Sequence, residues 1–113
     1  MPYDKPPSLN NTLNYVKVDC RLRHILPELT PTDRSVLFSY GLRVNKESVS
    51  FVSVETLLKE AKRTPNMCRI SRKKLVEMGL LRLVEQGGGA GKVSKYQVKY
   101  FTRGKNTPRL IML

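Results

Sequence analysis

Asn66, Arg69, Ile70 and Lys73 follow one another at intervals of three, one and three residues, the spacing that gathers side chains on one side of a helix. The polar members are a carboxamide, a guanidinium and an ammonium. The first two can form paired, in-plane hydrogen bonds with a guanine or adenine edge in the major groove, and an ammonium offers a point charge to phosphate. Just upstream, Lys62-Arg63-Thr64 is a short basic turn. No paired carboxylates, nucleophile–base arrangement or metal cluster stands out elsewhere, so the chemistry on offer is that of binding, and an enzyme is not expected.

Those residues need a scaffold, and residues 53–81 supply one that reads as two short helices. In the first, Val54, Leu57, Leu58 and Ala61 form an apolar face, with Ser53 as N-cap and Glu55 in the first turn, where the helix dipole favours an anion. This helix is expected to stop near Ala61. Thr64 followed by Pro65 then suits an N-cap and first helical residue. In the second helix Cys68, Ser71, Leu75 and Met78 share the face opposite to Asn66, Arg69, Ile70 and Lys73, and Gly79 suits the left-handed position after the helix end. A helix pair whose second member is basic on its outer side is what a recognition helix in a DNA major groove requires. The same pattern also arises as a merely solvated surface, so the rest of the chain must discriminate.

Charge does so. The chain carries 21 Lys and Arg against nine Asp and Glu, a net charge of +12, and its distribution is uneven. Residues 1–58 hold seven basic and six acidic residues, a net +1, whereas residues 59–113 hold fourteen and three, a net +11. Such asymmetry gives a directional field that attracts and orients a polyanion. Cys20 and Cys68, with His24 as the single histidine, are too few for a zinc site and form no disulfide framework; no cofactor is expected. The 113 residues suffice for one domain. No stretch is apolar enough to cross a membrane or act as a secretion signal, which predicts an intracellular, cytoplasmic or nucleoid-associated protein without a membrane partner.

Along the chain, residues 1–13 carry three prolines and no periodic pattern, and are expected to form a flexible arm. Residues 15–22 alternate as a short extended segment. Thr30 and Pro31 open a helix with Val36, Leu37, Tyr40 and Val44 on one face. After the polar break of residues 45–48, residues 49–52 read as a short strand, residues 80–85 as a second, and residues 93–101 as a third, with Tyr96, Val98 and Tyr100 on one face and Lys95, Gln97 and Lys99 on the other. Between the last two strands, Gly87-Gly-Gly-Ala-Gly91-Lys92 superficially resembles a phosphate-binding loop. It lacks that motif's glycine spacing, its Ser or Thr after the lysine and its following helix, and reads as a hairpin tip. The domain is expected over residues 14–101. Residues 102–113 are expected to form a basic tail, with Arg103, Lys105 and Arg109, whose apolar end docks on the domain or on a second copy.

The predicted order of helix, strand, two helices and two strands is α+β. Across residues 29–100, about two-thirds of the chain, it resembles the winged helix-turn-helix domains of plasmid and phage replication proteins and small regulators. The pieces that carry the resemblance are LTPTDRSVLFSY, FVSVETLLKEA, SRKKLVEMGLLRLV and GGGAGKVSKYQV. It implies three helices with a three-stranded antiparallel wing sheet, and non-enzymatic duplex DNA binding in transcription regulation, or in DNA replication or maintenance of a plasmid or phage. It also implies that Thr64, Asn66, Arg69, Ile70 and Lys73 face the major groove, with Lys62 and Arg63 in the turn and Lys92 and Lys95 on the wing beside the backbone. One departure is that the family usually has a Gly in the turn where this chain has Lys62-Arg63-Thr64. Two other readings stay open: single-stranded DNA or RNA binding, which needs aromatic side chains such as Tyr96 and Tyr100 interleaved with the basic ones, and a protein-interaction module with the tail as contact. No small-molecule substrate is evident, and the oligomeric state stays open, a homodimer on two half-sites being one option.

Overall fold

The computed structural model describes residues 14–87 and 93–105. Among these the chain is α+β, with three α-helices and two antiparallel sheets. The strands are β1 (Asn14–Val18), β2 (Val49–Ser50), β3 (Leu81–Glu85), β4 (Lys95–Val98) and β5 (Phe101–Lys105), and the helices are α1 (Pro31–Gly41), α2 (Val54–Ala61) and α3 (Pro65–Glu77). None of these helices is long and apolar enough to cross a membrane.

Each helix begins and ends where its local chemistry directs. Thr30 and Asp33 close a reciprocal capping box at the start of α1, with Pro31 in the first turn. Ser53 caps α2 and Thr64 caps α3, each side chain accepting a backbone N–H three residues on. At the far end of α3, Gly79 sits at φ +79°, a conformation that costs little without a Cβ. Its N–H donates to Val76 O at 3.0 Å while Leu80 N–H donates to Leu75 O at 2.9 Å, so the last carbonyls are satisfied before β3 begins.

The core lies between the three helices and one face of the strands. Val36, Leu37, Tyr40 and Val44 from α1 and the residues after it are buried, as their spacing predicts, and meet Leu57 and Ala61 of α2 and Cys68 and Leu75 of α3. Val54 departs from the expected apolar face of α2. At the first position of an eight-residue helix it overhangs the packing surface and is 59% exposed.

The short strand before the helix pair joins the hairpin that follows it, in the order β2-β4-β3. Two expectations are corrected at the C-terminal side. Residues 93–101 are not one strand: β4 ends at Val98, and Tyr100 adopts φ +73°. The chain therefore leaves the sheet and starts β5, which pairs antiparallel with β1 from Val18↔Phe101 to Asn14↔Lys105. The segment 102–113 is accordingly not all tail, since residues 102–105 belong to a strand. Phe101 anchors that strand. It is fully buried, edge-on to Phe38 at 5.4 Å, and lies so close over Gly41 that a Cβ there would fall 2.4 Å from its ring. The expected arm over residues 1–13, Lys92 and the apolar end of the tail lie outside the described residues.

Candidate nucleic-acid interface

The turn between α2 and α3 is built on a lysine. Lys62 closes α2 in the left-handed region, at φ 53° and ψ 45°, with its N–H donating to Leu58 O at 2.9 Å. The position favours glycine, and the chain places a cation there instead. Arg63 is exposed but tethered, donating to Thr32 Oγ1 at 3.2 Å and to Lys62 O at 3.1 Å. The Thr64 hydroxyl accepts the Met67 N–H at 3.2 Å, which fixes where α3 starts.

From that start, α3 is two-sided. Cys68, Ser71 and Leu75 are buried, and Asn66, Arg69, Ile70 and Lys73 are all exposed on the other side, where the sequence spacing puts them. Arg69 Nη2 donates to Asn66 Oδ1 at 2.5 Å across one turn. Ile70 is 54% exposed, and Met67 beside it 42%.

The sequence reading missed the cations that hold this helix. Lys74 Nζ donates to Asp33 Oδ2 at 2.8 Å and to Glu28 O at 3.2 Å, which fastens α3 to the start of α1. Burial alone would raise the pKa of Asp33, but hydrogen bonds from Lys74, Ser71 and Thr30 outweigh it and hold the carboxyl below its ordinary value. Arg72 lies on the flank. Its Nη1 reaches the Tyr40 hydroxyl at 3.5 Å, the long limit of a hydrogen bond, and its guanidinium sits 6.0 Å from the centre of the Tyr96 ring. Burial pushes the Tyr40 hydroxyl up, so it stays neutral beside the cation. A spacing argument finds such residues only as neighbours of the buried stripe: Arg72 follows Ser71 and Lys74 precedes Leu75.

Arg72 also joins two depressions. One, of about 320 Å³, lies between α2 and α3 and is lined by Val54, Leu57, Leu58, Pro65, Cys68 and Arg69 among others. The other, of about 260 Å³, runs from Tyr40 and Val54 to Gly87, Val93 and Ser94 at the base of the hairpin. Val54 and Arg72 line both depressions, so the two lie side by side between the α2–α3 pair and the base of the hairpin.

On the hairpin, Lys95 lies 3.7 Å from Glu85 in a solvent-exposed ion pair. Arg82 donates to Gln97 Oε1 at 2.6 Å on the neighbouring strand. Tyr96 is not presented as a stacking platform: it is 9% exposed and packs edge-on against Tyr40 at 5.3 Å. Tyr100 holds the Lys99 ammonium at 5.2 Å and the Arg21 guanidinium at 5.8 Å from its ring centre. Arg21 is in turn paired with Asp19, whose carboxyl it lowers to about 2.

No protein-family model matches the chain, and comparison with curated proteins and with solved structures finds no match.

Proposed function

We propose that the protein is a non-enzymatic, duplex-DNA-binding winged helix, with α3 in the major groove and the β3–β4 hairpin along the neighbouring backbone. The observation that carries this reading is the two-sidedness of α3. One face is locked into the core, and the other exposes a carboxamide, a guanidinium and an ammonium in register, with no acidic residue anywhere in residues 61–76. The strand order β2-β4-β3 supports it, because pairing the hairpin with the strand before α2 sets the hairpin beside α3. The role inferred is that of a transcriptional regulator, or a replication or maintenance factor of a plasmid or phage. A second copy is the partner that would let it occupy two half-sites. Single-strand stacking has less support, since Tyr96 is buried and the Tyr100 ring already carries two cations.

Several basic residues of the C-terminal half are engaged within the fold, among them Arg72, Lys74 and Lys95. About four to six phosphate contacts therefore remain, which gives a log–log salt slope of about −4 to −5. Fluorescence anisotropy of a labelled duplex across low to moderate salt measures it. Failure to bind at low salt, or a flat dependence, would overturn the reading.

A further inference from the structure

The hydrogen bond between Arg69 and Asn66 restricts what the outer face of α3 can recognise. A guanidinium is a donor at every nitrogen, so the 2.5 Å contact from Arg69 Nη2 fixes the orientation of the carboxamide, with Oδ1 toward Arg69 and Nδ2 turned away. An asparagine reads adenine by accepting from the N6 amino group through Oδ1 while donating to N7 through Nδ2. Here Oδ1 already accepts from the guanidinium, so an adenine amino group would have to share that oxygen with a neighbouring cationic donor. Guanine presents N7 and O6, both acceptors, and among the described residues the other guanidinium nitrogens of Arg69 make no hydrogen bond.

We propose that Asn66 and Arg69 form a single reading unit for guanine, in which Asn66 positions the guanidinium and does not read adenine; this rests on the duplex-DNA reading above. The rest of the face agrees with that assignment. Lys73, four residues on, is also a donor only. The one acid of α3, Glu77, lies eleven residues from Asn66, about 16 Å along the axis. Ile70 and Met67, exposed side by side, offer apolar contact to a thymine methyl group. The expected core of the site is a guanine with a thymine at the adjoining step.

Selection of the full chain against random duplexes, followed by competition with single-base changes, tests this. Replacing the selected guanine by adenine is expected to weaken binding about 10- to 100-fold, and Arg69→Ala to erase that preference. Asn66→Ala should blunt the same position without affecting any other, and Asn66→Ala with Arg69→Ala should bind no worse than Arg69→Ala alone. An adenine preference that Asn66→Ala abolishes and Arg69→Ala leaves intact overturns the inference while leaving DNA binding standing. In the free protein, NMR should show hindered rotation of the Arg69 guanidinium that Asn66→Ala releases; free rotation already in the unaltered protein refutes the pair. Absence of binding to every duplex overturns the parent reading, and this one with it.

Discussion

Lys74→Met isolates the contact that seats α3. Methionine keeps most of the apolar stem of the lysine and removes the ammonium, so Asp33, 2% exposed, keeps the Thr30 N–H at 2.9 Å and loses its cation at 2.8 Å. A hydrogen bond to a charged group contributes about 1.5–3 kcal/mol. Because the Lys74 side chain is 40% exposed, water can partly replace it, and screening brings the expected loss to about 1–2 kcal/mol. For a domain of this size that lowers Tm by roughly 5–15 °C. The sign of the pH dependence is also set. The carboxyl of Asp33 is lower in the folded state than in the unfolded chain, so its contribution is present above the unfolded value, about 3.9, and is lost as pH falls through the folded value. Urea melts of both proteins at pH 7 and pH 3 should show a wide gap at pH 7 that narrows at pH 3. A gap of equal size at both pH values would assign the effect to packing of the stem and refute the ionic account.

Three further outcomes are expected. Lys62→Gly relieves a left-handed lysine and should stabilise the fold by about 1 kcal/mol, while duplex binding weakens and its salt slope falls by about one; stabilisation with unchanged binding would remove Lys62 from the interface. Gly41→Ala places a methyl against the Phe101 ring and should cost about 1–3 kcal/mol in a thermal melt, with β5 the first strand to lose amide protection in hydrogen exchange. Removal of residues 106–113, which spares β5, should convert a dimer to a monomer in analytical ultracentrifugation if the tail supplies self-association; an unchanged sedimentation profile would exclude that role.

Much of the local structure was legible because it depends on near neighbours. Thr30-Pro31, Ser53 and Thr64-Pro65 each announce a helix start through groups three residues apart, and Gly79 announces an end. The outer face of α3 was legible for the same reason, since helical spacing alone separates Asn66, Arg69, Ile70 and Lys73 from Cys68, Ser71 and Leu75. What was not legible depends on partners far away in sequence. The alternation of Tyr96, Val98 and Tyr100 invites one long strand, and only the pairing of β5 with β1, which lies more than 80 residues earlier, draws the chain out of the sheet at Tyr100. Asp33 and Lys74, 41 residues apart, give no periodic signal of their partnership. Lys95 was placed on the outward face of its strand by alternation, but its attraction to Glu85 depends on a register shift between Leu83 and Glu85.

These long-range pairings also change what the net charge means. Counted along the chain, the C-terminal half is uniformly basic. In the fold its cations divide by task. Lys74 ties α3 to the start of α1, Arg72 sits between Tyr40 of α1 and Tyr96 of β4, and Arg103 donates to Val44 O at 2.9 Å, fastening β5 to the segment that follows α1. These contacts hold α3 and β5 against the rest of the fold, and of the three cations Lys74 alone is neutralised by an anion, Asp33. Lys62, before α3, and Arg69 and Lys73, along it, are exposed, and under the proposed function they are the cations that would meet the polyanion. The proposed sequence-selective reading would need both sets, because a bidentate contact tolerates little displacement of its donors. A helix held at Leu75 by packing, at Lys74 by an ion pair and at Arg72 by two aromatic residues has the fixed outer face that such reading demands.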